Sequence, residues 1–323
     1  MPPREGRDPA RPRIICLVGP TASGKTGLAL ELAARLDAEI VSADSRQVYR
    51  GMDVGTAKPT AAERARVPHH VLDLVEPDEP FDAARYRAAA LAAIDDVRRR
   101  GKQALVVGGT GLYLRALRFG LCPAPPRVPR LRACLHGWAA REGVPALHRR
   151  LGLLDPVAAG RIHANDALRI VRAIEVALTT GRRLSDWQRT HGFAEPSVDA
   201  LVVGLTVDTP ALDARIAARV DAMLAAGWLE EVRRLVARGY PDDAPVWRTL
   251  GYADMRGVVE GRSDLAAARA ACVLATRRYA KRQRAWFRHE PDVVWRTPDA
   301  DAIAREAHAF LHAPRIAKAG VAE

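Results

Sequence analysis

Gly19 to Thr26 read GPTASGKT, the spacing G-x-x-x-x-G-K-[ST]. An apolar run precedes the motif and a helical pattern follows it, the context in which a loop of this kind cradles phosphates. Each residue has a part in that reading. The backbone amides of Gly19, Pro20, Thr21, Ala22, Ser23 and Gly24, proline excepted, can ring an anion, and the helix start adds partial positive charge. Lys25 supplies a full charge, and Thr26 has the hydroxyl that holds Mg²⁺. The usual ligand of such a loop is ATP, so a nucleoside or nucleotide kinase is one reading. An ATPase also needs a strand that ends in an acid to position the metal. The strand ALVVGG leads into Thr110 with no acid. AEIVSAD does end in one, Asp44. At that position Asp44 is an organiser for Mg²⁺ or a general base, or else it caps the next turn. By the rule that ligands lie at strand ends in open α/β sheets, Lys25, Asp44 and Thr110 are expected at one mouth.

Two arginine groups add to this. Arg215 and Arg219 share a helix face at i, i+4. They suit a pyrophosphate clamp, or a solvated face shared with Asp213 and Asp221. RRYAKRQRAWFR, Arg277 to Arg288, holds six basic residues in twelve and no acid. Arg277, Lys281, Arg284 and Arg288 fall on one ridge, which a polyanion would stabilise. Arg169 and Arg172, away from the Ile170, Val171, Ile174 stripe, form a second strip. Basic strips on two parts of the chain suggest a nucleic acid gripped from both sides. An RNA-binding module with a vestigial nucleotide site is therefore a further reading.

The elements that must position these groups alternate. RIICLV is a strand, Lys25 to Leu36 a helix, AEIVSA a strand, Phe81 to Arg100 a helix and ALVVGG a strand. TGLYLRAL is helical, and the whole describes an α/β domain on a parallel sheet. LCPAPPRVPR has four prolines in ten residues and marks a boundary. From Leu131 to about Gly192 the pattern is helical only, and LVVGLTV resumes strand character. The expected plan is a phosphate-loop α/β core over 13–122 and 200–314, interrupted by a helical insertion at 123–199. Helices are expected over 210–238 and 264–288, and loose tails at 1–12 and 315–323.

The chain has 323 residues, 50 basic and 38 acidic, for a net charge of +12. That excess favours acidic partners. Cys16, Cys122, Cys134 and Cys272 form no metal-ligand or disulfide spacing, which suits reduced thiols in a cytoplasmic protein. His69 and His70, adjacent in an extended segment, read as structural. No apolar run is long enough to cross a bilayer, and IICLV is too short for a signal peptide.

Taken together, GPTASGKT, VSADSRQVYRGMDVGTAKP, VPHHVLD, LVVGGTGLYLRAL, DPVAAGRIHANDALRIVRAIEV, ARIAARVDAML, LGY and ATRRYAKRQRAWFR resemble the tRNA dimethylallyltransferases. The motifs occur in family order over roughly residues 13 to 290. The resemblance implies transfer of a dimethylallyl group from dimethylallyl diphosphate to N6 of adenine-37, beside the anticodon, in tRNAs reading codons that start with U. It implies Mg²⁺ as metal, and the acting unit is expected to be a monomer. Asp44 then matches the general base, Thr110 lies beside the reaction centre, residues 19–26 hold the diphosphate, and Arg219 matches a diphosphate-binding arginine. Implied tRNA contacts are Asp44, Ser45, Arg46, Gln47, Thr110, Arg132, Leu168, Arg169, Arg172, Arg248, Gly251, Tyr252, Lys281, Arg282, Arg284 and Arg288. The chain departs from the family at Ala164, where proline is usual, and at Ala167 and Leu168, where basic residues are common. It has too few late cysteines for the zinc finger of eukaryotic relatives.

Overall fold

A computed structural model describes residues 11–123, 125, 127–191 and 196–314. Of the tails expected at 1–12 and 315–323, all but residues 11 and 12 lie outside the described residues. The chain divides into two compact units, Met1–Arg118 with Ser197–Glu323, and Phe119–Pro196.

In chain order the first unit runs β1 (Arg13–Val18), α1 (Lys25–Leu36), β2 (Ala38–Ser42), α2 (Ala61–Arg66), β3 (His69–His70), α3 (Ala83–Arg99), β4 (Gln103–Gly108) and α4 (Gly111–Phe119). Its sheet has six parallel strands, and β3-β2-β4-β1 is one side of the order. The central strands β1 and β4 are largely apolar because both faces of the sheet are covered there. Alternation along β1 sends Ile15 and Leu17 into a core with Leu28, Leu32 and Leu36 of α1, while Ile14 and Cys16, also buried, face the other way. Tyr86, Ala90, Ile94 and Val97 are the buried stripe of α3, as the periodicity predicts. Asp82 caps that helix through the amides of Ala84 and Arg85.

The second unit is helical: α5 (Pro129–Glu142), α6 (Val144–Leu154), α7 (Pro156–Arg161), α8 (Ala167–Thr180) and α9 (Leu184–His191). Leu135, Leu147, Leu151, Ile170 and Ile174 form its core. Asp155, fully buried, caps α7 through the amide of Ala158 and holds both the amide and the hydroxyl of Ser185.

The first unit then resumes with β5 (Asp199–Leu205), α10 (Thr209–Ala225), α11 (Trp228–Ala237), a 3₁₀ turn (Pro245–Arg248), α12 (Tyr252–Val259), α13 (Leu265–Arg288), β6 (Val293–Arg296) and α14 (Ala300–His312). Strands β5 and β6 complete the sheet beside β1. The single helix expected over 210–238 is two. Gly227, at φ +92°, breaks it, a backbone shape that a side chain would strain. Trp228 then enters the core at 1% exposure.

Candidate active site

Register brings the loops together. Val18 pairs with Gly108 and Ser42 with Val107, so β1, β2 and β4 end at one edge of the sheet. Gly19, Asp44 and Thr110 follow directly from those ends. A cavity of about 620 Å³ opens there. Its walls include Thr21 to Thr26, Asp44 to Gln47, Arg219 and Arg248. Ile40, Val107, Ile216, Val220, Met223, Trp228 and Leu250 line it too. One cavity therefore combines an anion cradle with apolar wall.

Lys25 donates to the carbonyls of Gly19 (2.9 Å) and Pro20 (2.6 Å). Burial pushes its pKa down to about 7, and the positive charge of Arg219 adds to that, against the pull of Asp44. Burial likewise lowers Arg219, and Asp44 opposes it. The acids near α10 are occupied elsewhere: Asp213 pairs with Arg277 (3.6 Å) and Asp221 with Arg269 (2.5 Å). Arg219 thus belongs to the cavity, not to a solvated face, whereas Arg215 is exposed at its rim. Two cations on the wall of one cavity favour an anion with more than one negative charge.

Asp44 caps its turn and also borders the cavity, one carboxylate oxygen accepting the amide of Arg46 at 2.8 Å. Thr110 stands behind it, its hydroxyl accepting the amide of Ser45 at 3.1 Å. Burial pushes the hydroxyl of Tyr279 of α13 up to about 12. Arg282 lies over the Tyr279 ring at 5.7 Å.

Several expected contacts are redirected. Gln47 spends its amide on Ser42 (3.1 Å) and on the carbonyls of Thr56 and Ala57. Gly251 and Tyr252 do not face ligand. Tyr252 is 0% exposed and donates its hydroxyl to Glu231 (2.7 Å), and a Cβ on Gly251 would lie 2.3 Å from Trp228. These two residues build the core beneath the cavity, and in this segment Arg248 alone among the expected contacts reaches the wall.

Arg132 and Arg172 are likewise turned inward. Both bond the carboxylate of Glu175, Arg132 at 2.9 and 3.0 Å and Arg172 at 2.8 Å, and Arg172 also holds the carbonyl of Pro125 at 2.7 Å. Glu175 is 0% exposed, so its charge needs them. Leu168 and Arg169 are exposed, Arg169 beside Asp166 at 3.4 Å.

On α13, Arg277, Lys281, Arg284 and Arg288 line a second groove with Thr209, Leu212 and Asp213 of α10. The ridge is continuous but not uniformly unpaired. Arg277 meets Asp213, and Arg284 donates to the Thr209 hydroxyl at 2.7 Å. Helix α10 opens at Thr209, with Asp208 in the N-cap position.

The sequence reading missed three structural anchors. Glu231, 1% exposed, accepts the amides of Asp53 (2.6 Å), Val54 (2.7 Å) and Gly55 (3.1 Å). Lys58 is buried on Tyr49, Asp53 and Asp73. Gln283 bridges two loops of the site. For Gln283 and Glu231 the visible signal was a polar residue on an otherwise apolar helix stripe, as in Ala280, Gln283, Phe287; Lys58, in a loop, gave none.

A phosphate loop after β1 and an acid after β2, with β4 between them in the parallel sheet, border one cavity, the arrangement of an α/β protein that binds a phosphorylated ligand. The chain matches the IPP transferase family over residues 47–290 and belongs to it. It is 52% identical over 295 residues to the tRNA dimethylallyltransferase of Anaeromyxobacter dehalogenans (strain 2CP-C), covering 91% of this chain and 98% of that protein. Identity to the tRNA dimethylallyltransferase of Geobacter metallireducens is 48% over 289 residues, covering 90% and 94%. Among solved structures, the tRNA isopentenylpyrophosphate transferase of Bacillus halodurans superimposes with TM-score 0.67 at 37% identity, covering 93% of this chain and 95% of that one. A eukaryotic dimethylallyltransferase, seen acting on tRNA, gives TM-score 0.79 at 26% identity, covering 94% and 81%.

Proposed function

We propose that this chain transfers the dimethylallyl group of dimethylallyl diphosphate to N6 of adenine-37 in the anticodon stem-loop of tRNAs that read codons starting with U. The observation that carries the reading is the shared cavity, where Lys25 and Arg219 flank Asp44 beside an apolar wall. A kinase would need only the polar half.

Diphosphate leaves once its charge is neutralised, and Lys25, Arg219 and the amides at the start of α1 supply that neutralisation. The adenine amine is a weak nucleophile, so Asp44, held by the Arg46 amide, takes its proton as the C–N bond forms. Thr110 positions the Ser45 backbone next to that carboxylate. The base must leave its stack to reach a cavity of this kind. Arg46, Arg248 and Arg282 on the wall are suited to the RNA backbone around it.

Mg²⁺ fits the donors present. Among the described residues no cluster of three His, Cys, Asp or Glu exists, while the exposed Thr26 hydroxyl faces the cavity. Thr26 and diphosphate oxygens would hold the ion, a mode that suits a metal keeping few protein ligands. Its chemistry there is charge neutralisation of the leaving group. The described helices include none long and apolar enough to cross a membrane.

The test is incorporation of radiolabelled dimethylallyl diphosphate into unmodified tRNA with the sequence A36-A37-A38. Label in tRNA is expected. ATP turnover without label would replace this reading with a kinase. Asp44→Asn is expected to lower the single-turnover rate on the order of 10²–10⁴-fold with tRNA affinity retained; a rate near wild type removes Asp44 from the base role.

A further inference from the structure

Gln283 sits on the buried stripe of α13, between Ala280 (2% exposed) and Phe287 (1%), and is itself 6% exposed. Its side-chain oxygen accepts the amide of Thr21 at 2.8 Å, and its side-chain nitrogen donates to the carbonyl of Gly109 at 2.9 Å. The orientation of the amide is forced, because one partner can only donate and the other only accept. A Cβ on residue 109 would lie 2.1 Å from the Gln283 nitrogen, so glycine there is what admits the clasp. One face of α13 therefore fastens the phosphate loop to the end of β4. Residues next to Gln283 on the same helix, Lys281 and Arg282, are exposed and basic.

We propose that Gln283 is a positioning residue that clasps the phosphate loop to the RNA-facing helix, coupling diphosphate affinity to RNA binding. The proposal rests on the tRNA-modifying reading for the identity of the RNA. The mechanism is local. With its amide engaged, Thr21 is withdrawn from the anion cradle, and Ala22 is held at φ +60°. The cradle is then formed by the amides that open α1, aligned before the anion arrives. An RNA that steadies α13 steadies the loop through the same side chain, and by linkage the diphosphate must tighten RNA equally.

The experiment compares the full-length protein with Gln283→Met, which keeps length and loses both hydrogen bonds. Inorganic pyrophosphate affinity is measured by calorimetry with and without an anticodon stem-loop RNA, and RNA affinity by filter binding. In the wild type the RNA is expected to tighten pyrophosphate severalfold. In Gln283→Met, pyrophosphate is expected to weaken about tenfold, the loss of two neutral hydrogen bonds. RNA binding alone should stay within about twofold, and the coupling should vanish, with the KM for the donor rising more than kcat falls. Wild-type pyrophosphate affinity in the variant overturns the proposal. So does equal weakening of both ligands, which marks a general structural role, and so does a wild type without coupling. If Gln283→Met does not fold, Gln283→Glu stands in. It keeps the acceptor for Thr21 but loses the donor to Gly109, so RNA should no longer tighten pyrophosphate, and coupling at the wild-type level overturns the proposal. A wild type that fails to label tRNA sinks the proposed function without altering the pyrophosphate arm.

Discussion

Lys25 has a motif's position and a buried amine's titration. Burial, then Arg219, lower it to about 7, while a bound diphosphate would raise it again. Below about pH 7 the ammonium exists before the anion arrives. Above that, binding must draw a proton from solvent, so affinity falls as pH rises. Calorimetry of pyrophosphate at pH 8, in buffers of different ionisation enthalpy, should therefore show more proton uptake by wild type than by Lys25→Arg, whose guanidinium does not titrate there. Equal uptake would mean that Lys25 is already charged. Lys25, Asp44 and Arg219 were legible in sequence because a loop motif, a strand end and a helix face each fix one of them. Gln283 was not, since its partner Thr21 lies 262 positions away. Spacing within one helix shows only that an amide sits on an apolar stripe, and does not say what it meets.

At the level of elements, β1, β2, β4 and β5 were readable from their apolar, β-branched stretches, the mark of strands covered on both faces. Strands β3 and β6, of two and four residues, carry no such pattern. Helix α8 shows where the charge pattern misled. Arg169 and Arg172 lie off the apolar stripe, yet Arg172 turns to Glu175, a buried acid on its own helix that Arg132 of α5 also meets. Burial raises the Glu175 pKa, but the hydrogen bonds from Arg132, Arg172 and the Val128 amide outweigh it and hold the carboxyl at about 2. A depressed acid contributes stability above its ordinary range and loses it as pH falls toward that value. Arg132→Met should thus destabilise the helical unit by about 3 kcal/mol, because it leaves a buried carboxylate under-paired. Its acid unfolding should begin at higher pH than in wild type, seen as early loss of hydrogen-exchange protection in α8. The salt slope of RNA binding should not change. A lower slope with intact protection would restore Arg132 as an RNA contact.

Over the whole molecule, a net charge of +12 gives a general attraction for nucleic acid, but counting arginines overstates what is available to phosphates. Arg132 and Arg172 share Glu175, Arg269 is matched to Asp221 and Arg277 to Asp213. Lys281 and Arg288 are exposed on the α13 groove and have no carboxylate partner among the described residues. Each phosphate contact releases about one counterion, so the dependence of log affinity on log salt counts the cations that act. Replacing Lys281 and Arg288 together by Gln should lower that slope by about 1.5 to 2 for tRNA. Arg277→Gln should lower it by much less, because Asp213 already neutralises that charge, and it leaves Asp213 as a new negative group in the groove. The two variants therefore separate slope from affinity. The Lys281/Arg288 pair flattens the salt dependence, while Arg277→Gln weakens binding at low salt with the slope nearly intact. Equal slopes in all three proteins would place the RNA away from this groove.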